Sequence, residues 1–551
     1  MKKPGSLRSA TSVQEAYQAA LKAQQAGQMD VARQGYLRIL DQRPLAEPMF
    51  QLGQISAQSG DLAAAAKWYR RALKLKPKEP ALWQALAEIN TGGDRQKLIR
   101  QARAAGVTLR TNDAQLVDQA DRLLDTGQVS KAKQMYRAAM KAGGSPVQVL
   151  THMGGRLSAA DDYTGALSAL DEAVKLAPKA AAARVLRAGV FQTMGALDKA
   201  EADLRAALKT APTHGRAWLS LMRGRKQPKD AADVVALEQQ LADHVSDPED
   251  RRLMSFGLAK ALEDQGRYDT VFAHLNTANR ITARRFPYGF ENDLKTARDR
   301  LNSFQDDVFD GYEGAAPIFV VGLPRSGTTL VETILGVHAD VAPGGEMALF
   351  GDTILPLAEA LAAGDTPAGN DWWQAGRNWA EKALAKAGTG RVTDKSISTF
   401  ALMGPVARAL PKARFVLLNR DPRDVGLSIY KNLFPDGLHR YAYDLKEIGR
   451  FIRLFDATTA AWQNRLPGRV HVVEYEALTT EPEPQIRAML AFCDLAWDPA
   501  CLTPEHSSRA VKTLSVAQVR QPINRGSVAA WRRFEGDLKP LIDALETEII
   551  L

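Results

Sequence analysis

The sequence predicts two parts: an all-α solenoid of stacked helical hairpins, then an α/β domain built on a parallel sheet. Three observations carry this. A pattern of small and large residues returns every 33 or 34 positions through the first half. From residue 317 onward, short β-branched runs alternate with amphipathic helical stretches. Between the first such run and its helix lies a glycine-bounded loop, Gly322-Leu323-Pro324-Arg325-Ser326-Gly327.

The period is read from aligned residues. Gly27, Met29, Ala32, Tyr36 and Pro44 match Gly60, Leu62, Ala65, Tyr69 and Pro77 at an offset of 33. Val129, Ala132, Tyr136 and Ala139 match Tyr163, Ala166, Leu170 and Ala173 at an offset of 34, and these match Leu197, Ala200, Leu204 and Ala207 in turn. A last copy runs from Gly266 and Tyr268 through Phe272, Leu275 and Ala278. The alanines let paired helices approach and the larger residues fill the gaps. One hairpin cannot bury its apolar face alone, so stacking is obligatory. About six to eight hairpins are expected over 1–300, with weaker copies at 80–112 and 215–246. This period resembles the tetratricopeptide repeat, which implies either a spacer or a concave surface for a peptide or protein partner.

The segment Arg284 to Gly314 reads as a joint, because Pro287, Tyr288, Gly311 and Gly314 interrupt helical periodicity. The expected domains are therefore 1–300 and 315–551. In the second, Ile318–Val321, Gly390–Asp394, Ala413–Leu418 and Val470–Glu474 read as strands with helices between them. Such alternation makes a parallel sheet with the ligand at the strands' carboxyl ends.

The loop is an anion cradle: its N–H groups and the helix start at Thr328-Thr329 converge on one spot that the helix dipole makes positive. Gly322-x4-Gly327 has the spacing of a Walker A loop, but Thr328 stands where that motif places lysine. Its absence counts against ATP or GTP hydrolysis. The cation lies inside the loop instead, at Arg325.

A strand followed by Pro324-Arg325-Ser326-Gly327-Thr328-Thr329-Leu330, and later by Gly344-Gly345-Glu346, resembles the 5′-phosphosulfate loop of sulfotransferases. The whole arrangement is similar to bacterial tetratricopeptide-repeat sulfotransferases, and the second half also resembles tyrosylprotein sulfotransferases. The resemblance implies a P-loop-like sulfotransferase domain that uses 3′-phosphoadenosine 5′-phosphosulfate (PAPS) without a metal. A sulfuryl group would pass to an acceptor hydroxyl on a peptide tyrosine, a saccharide or a phenol, with the repeats presenting acceptor or partner.

It also implies roles. Arg325, Ser326, Gly327, Thr328 and Thr329 hold the 5′-phosphosulfate. Glu346, 21 residues after Arg325, is the base; the plain alternative is a solvated glutamate. Lys395 assists the leaving group, with a solvated loop lysine as its alternative. Arg420 and Ser428, eight residues apart, hold the 3′-phosphate. Tyr475 ends a strand near the nucleotide, and Ser515, Gln518 and Arg520 belong to a loop closing over the adenosine. His338 is the rival base, or simply closes the loop helix. Two positions depart from the tyrosylprotein pattern. Ala530 precedes Trp531 where those enzymes carry a phosphate-binding lysine, and Asn432 stands where they carry an arginine. Arg525, Arg532 and Arg533 are the substitutes in view.

Composition sets bounds. Nine net positive charges over 551 residues suit anionic ligands, and without a dense Lys/Arg tract nucleic acid is not expected. Two cysteines, Cys493 and Cys501, support neither a disulfide framework nor a zinc site. The start has lysines but no apolar core of a signal peptide, and no run is long enough to span a membrane. A cytoplasmic protein is the expectation. The alternatives are a nucleotide phosphotransferase or NTPase, and a repeat scaffold whose enzyme domain has decayed.

Overall fold

A computed structural model of the chain describes residues 10–90, 92–107, 109, 112–243, 245–305, 308–388, 390–506 and 522–551. By internal contacts the chain falls into two compact units, Met1–Thr210 and Ala211–Leu551.

The first unit is all helix. Its helices pair as hairpins: α1 (Ala10–Gln25) with α2 (Met29–Leu40), α3 (Ala46–Gln58) with α4 (Leu62–Leu75), and α5 (Pro80–Glu88) with α6 (Gly92–Ala104). Then follow α7 (Asn112–Asp125) with α8 (Val129–Lys141), α9 (Pro146–Ala159) with α10 (Tyr163–Leu176), and α11 (Ala181–Thr193) with α12 (Leu197–Thr210). The repeating alanines Ala32, Ala65, Ala132 and Ala166 are fully buried between helices, and Tyr36, Tyr69 and Tyr136 fill the adjoining space. Carboxylates start some of these helices: Asp61 accepts from the Ala64 N–H and Asp162 from the Gly165 N–H.

The second unit opens with five more helices, α13 (Gly215–Gly224), α14 (Ala232–Asp243), α15 (Pro248–Asp264), α16 (Tyr268–Arg285) and α17 (Phe290–Ser303). The helix α17 occupies the stretch that reads as a joint. Phe290, Leu294, Ala297 and Leu301 lie on one of its faces and are buried. Short spacings of this kind are hard to tell from loop when Pro287 and Gly289 precede them.

The sheet follows. Strands β1 (Ile318–Val321), β2 (Val341–Pro343), β3 (Arg391–Asp394), β4 (Arg414–Asn419) and β5 (Val470–Glu474) are all parallel, in the order β2-β3-β1-β4-β5. Between them run α18 (Thr328–Val337), α19 (Leu355–Ala362), α20 (Gly369–Ala387), α21 (Met403–Ala409), α22 (Pro422–Tyr430) and α23 (Leu445–Arg465); α24 (Tyr475–Thr480) and α25 (Pro482–Phe492) come after β5.

Side chains alternate across the sheet, as the two-residue period of a strand requires. Ile318, Val320, Val416 and Leu418 face one layer with Val331, Ile334 and Leu335 of α18. On the other face Phe319 stacks on Phe415 at 5.5 Å and meets Trp379 of α20 at 5.2 Å. The edge strand β2 has three residues and ends in proline, too short for a β-branched run to announce it.

Helices α15 and α16 pack on α22 within this unit. The buried Asn279 side chain donates to the Tyr430 carbonyl at 2.9 Å, and the Tyr430 hydroxyl donates to Asn276 at 2.7 Å. Phe272 stacks on Tyr430 with ring centres 5.8 Å apart.

Candidate active site

The five strands are parallel, so all end at one rim, and each is followed there by a residue the sequence singles out. After β1 the chain turns through 322–327. Arg325 takes φ 70 and Gly327 φ 114. A Cβ on Gly327 would lie 2.6 Å from the Tyr475 ring, so both backbone and space call for glycine. Ser326 Oγ donates back to the Leu323 carbonyl at 2.8 Å, closing the loop. Thr328 opens α18, and the first-turn amides of Thr328 and Thr329 point where an anion would sit.

The 322–329 loop and the Arg420–Ser428 pair converge. Arg325 Nε donates to Ser428 Oγ at 3.2 Å. Arg420, just past β4, donates through Nη1 to the Arg325 carbonyl and through Nη2 to the Ser527 carbonyl, both at 2.8 Å. Its guanidinium lies 4.3 Å over the Tyr475 ring, while its buried Nε has no partner among the described residues. Tyr475, just past β5, holds its hydroxyl 3.2 Å from Ser527 Oγ. Burial, and then the adjacent Arg420 charge, push the Arg325 guanidinium down to about 10, still protonated at neutral pH. Two cations held this close, with one buried N–H without a partner among the described residues, have the chemistry to receive an anion.

The second cluster lies past β2 and β3. Lys395 Nζ donates to Glu346 Oε1 at 3.1 Å; the lysine is buried, 4% exposed, and the carboxylate is 57% exposed. So a shielded ammonium on the sheet side meets a carboxylate open to an incoming group. Asp394 accepts from the N–H and hydroxyl of Ser396 at 2.8 and 2.6 Å, which fixes the turn that presents Lys395. Burial pushes the Asp394 carboxyl above its ordinary range. His338 caps the end of α18: Nε2 lies 3.0 Å from the Ala496 carbonyl, and Nδ1 accepts from the Asp340 N–H at 3.1 Å. Those bonds fix its tautomer and leave neither nitrogen for an acceptor.

Ser515, Gln518 and Arg520 lie outside the described residues. Asp424 accepts from the Ala529 and Trp531 N–H groups at 2.7 and 2.9 Å, tying α22 to the segment 529–531. Arg423 stacks 3.8 Å over Trp531. Arg532 and Arg533 lie over the Trp531 and Tyr268 rings at 5.6 and 5.5 Å. Asn432 donates to the Ser428 carbonyl at 2.7 Å.

Sequence reasoning passed over three residues. Glu332, inside α18, accepts from the Gly345 N–H at 2.8 Å and the Thr393 hydroxyl at 3.0 Å, so it locks the turn that carries Glu346 to the strand that carries Lys395. Burial pushes its carboxyl up, against the pull of Lys395. A lone acid among Leu330, Val331, Ile334 and Leu335 was the available signal. Ser527 ties Arg420 to Tyr475. His439, left-handed at φ 47, is pushed down by burial and feels the opposing pull of Glu346. Among the described residues no three His, Cys, Asp or Glu side chains gather to hold a metal ion.

A strand–loop–helix anion cradle on a parallel sheet, behind helical hairpins, defines the class. Residues 317–499 match the family model of the sulfotransferase family, and 46–89 and 157–224 match tetratricopeptide-repeat models. The chain therefore carries a sulfotransferase-family domain behind tetratricopeptide repeats. It is 32% identical to an uncharacterized protein of Aquifex aeolicus (strain VF5) over 334 residues, covering 57% of this chain and 44% of that one. It is 28% identical to protein-tyrosine sulfotransferase A of Caenorhabditis elegans, covering 42% of this chain and 65% of that one. The chain thus spans less than two thirds of either relative. A sulfotransferase domain from the Synechococcus PCC 7002 olefin synthase aligns over 45% of this chain and all of its own, at 18% identity and TM-score 0.32.

Proposed function

We propose that the second unit transfers a sulfuryl group from PAPS to an acceptor hydroxyl. The observation that carries this is the convergence of Arg325, Ser428 and Arg420 on one another across 103 and 95 residues of sequence. The donor would supply an activated sulfuryl on a phosphate leaving group. Arg325 and the 326–329 amides would hold its 5′ end, and Ser428 and Arg420 its ribose phosphate. The partnerless buried Arg420 Nε fits such an anion.

Lys395 is placed to neutralise charge growing on the leaving phosphate, and Glu346 to take the acceptor's proton. Because the two are already bonded, a donor that draws the ammonium away frees the carboxylate. The acceptor class stays at hydroxyl: peptide tyrosine, saccharide or phenol. The likeness to a protein-tyrosine sulfotransferase and the repeats favour a peptide or extended polymer, presented by the hairpins. We place the activity in the cytoplasm, on the buried free thiols Cys493 and Cys501; no described helix is long and apolar enough to cross a membrane.

Replacing Glu346 with Gln tests the mechanism. Binding of 3′,5′-bisphosphoadenosine should survive while turnover of labelled PAPS falls by about 10²–10⁴. Undiminished turnover removes Glu346 from the role. Failure of the wild type to bind the bisphosphate in calorimetry overturns the donor assignment.

A further inference from the structure

Among the helices ahead of the sheet, α13 and α15 carry basic residues, and α15 reaches the end of α22 through an ion pair. Helix α13 is the last helix of the 157–224 repeat match, yet it lies in the second unit and packs on α15. The contact is close: a Cβ on Gly257 of α15 would lie 3.2 Å from the Leu219 Cα of α13. Lys260 of α15 fixes the end of α13 by donating to the Arg225 carbonyl at 2.6 Å, and pairs with Asp264 at 2.5 Å. One turn on from Lys260, Glu263 pairs with Lys431 at 2.5 Å. Lys431 is three residues beyond Ser428, so this turn of α15 faces the turn of α22 that carries Ser428.

Arg223 lies in the last turn of α13, two residues before the Arg225 carbonyl that Lys260 holds, and is partly buried. Burial, then Arg216, then Arg325 depress its guanidinium to about 10, so it stays charged within reach of the Arg325 field. Lys260, lowered chiefly by burial, also feels the Arg223 charge. The nearby acids are engaged: Asp264 by Lys260 and Glu263 by Lys431. Meanwhile Arg532 and Arg533 lie over aromatic rings.

We propose that Arg223, on a helix outside the sulfotransferase-family match, binds the donor's 3′-phosphate together with Arg420 and Ser428. This rests on the PAPS reading above and deepens it. The three groups would surround a phosphate dianion from separate elements: α13, the end of β4, and α22. The repeat-like helices then form part of the nucleotide site rather than only a platform behind it.

The test compares two ligands on the full-length protein by calorimetry: 3′,5′-bisphosphoadenosine, and adenosine 5′-phosphate, which lacks the 3′ group. The wild type should prefer the bisphosphate. Arg223→Gln should lower bisphosphate affinity about tenfold or more and leave the monophosphate unchanged. Arg223→Lys should recover part of the loss, which separates lost charge from lost folding. Equal weakening of both ligands, or undiminished preference in Arg223→Gln, overturns the assignment. A wild type that does not discriminate between the ligands overturns the donor reading, and this one with it.

Discussion

Glu332 gives the most searching test of how the site is held. Its carboxylate accepts two bonds, from the Gly345 N–H and the Thr393 hydroxyl. In Glu332→Ala both donors lose their partner, at about 1–3 kcal/mol each. The Gly345 bond is only partly buried, so water restores some of this, and about 2–4 kcal/mol of destabilisation is expected. With a slope of about 2 kcal/mol per molar, the urea midpoint of the second unit should fall by about 1–2 M. Glu332→Gln keeps the acceptor oxygen and removes the charge, so its midpoint should stay near wild type at neutral pH or above it.

The pH dependence has a definite sign. Burial raises the folded carboxyl above its ordinary 4.5. Its contribution is therefore fully present below that pH and is lost as pH rises through the raised value. The Gln variant lacks this loss, so its stability relative to wild type should climb from pH 4.5 upward and then level off. If the Ala variant unfolds like wild type, the two bonds do not hold the turn. If the Gln variant is as weak as Ala, the charge matters and the bonds do not.

Gly327→Ala forces φ 114 on a residue with a Cβ and drives that atom into the Tyr475 ring. Bisphosphate affinity should fall about tenfold or more while the first unit keeps its helical signal; calorimetry showing no loss would refute the steric argument. Residues 211–551 should melt cooperatively on their own, whereas 315–551 should aggregate, because removing α15 and α16 uncovers Phe272's partners Tyr430 and Phe534. Equal melting curves for the two fragments would show that these helices are dispensable to the sheet.

Local pattern made much of this legible. Four strands carry enough β-branched and aromatic residues to show, and the loop's glycines and Arg325 show the cradle. Arg420 and Ser428 are singled out by the family resemblance, and local pattern alone does not mark them; the structure sets Ser428 beside Arg325. What escaped depends on contacts distant in sequence. Asn279 reaching Tyr430 leaves no periodic trace, so α15–α17 read as repeat and joint although they group with the sheet. Glu332 shows in the sequence only as a lone acid in an apolar stretch; its role escapes because its partners lie 13 and 61 positions away. For β2, three residues ending in proline carry too little propensity to stand out; pairing with β3 makes the strand.

The strand order has a consequence for what the rim can measure. Adjacent strands are about 4.8 Å apart, so the tips of β2 and β5 stand about 19 Å apart. Glu346 marks one end of that row and Tyr475 the other, with Lys395, Arg325 and Arg420 as graduations between them. Such a row is a ruler. Under the function proposed above, a guest long enough to touch every mark would be favoured over a shorter one that registers on only part of the scale.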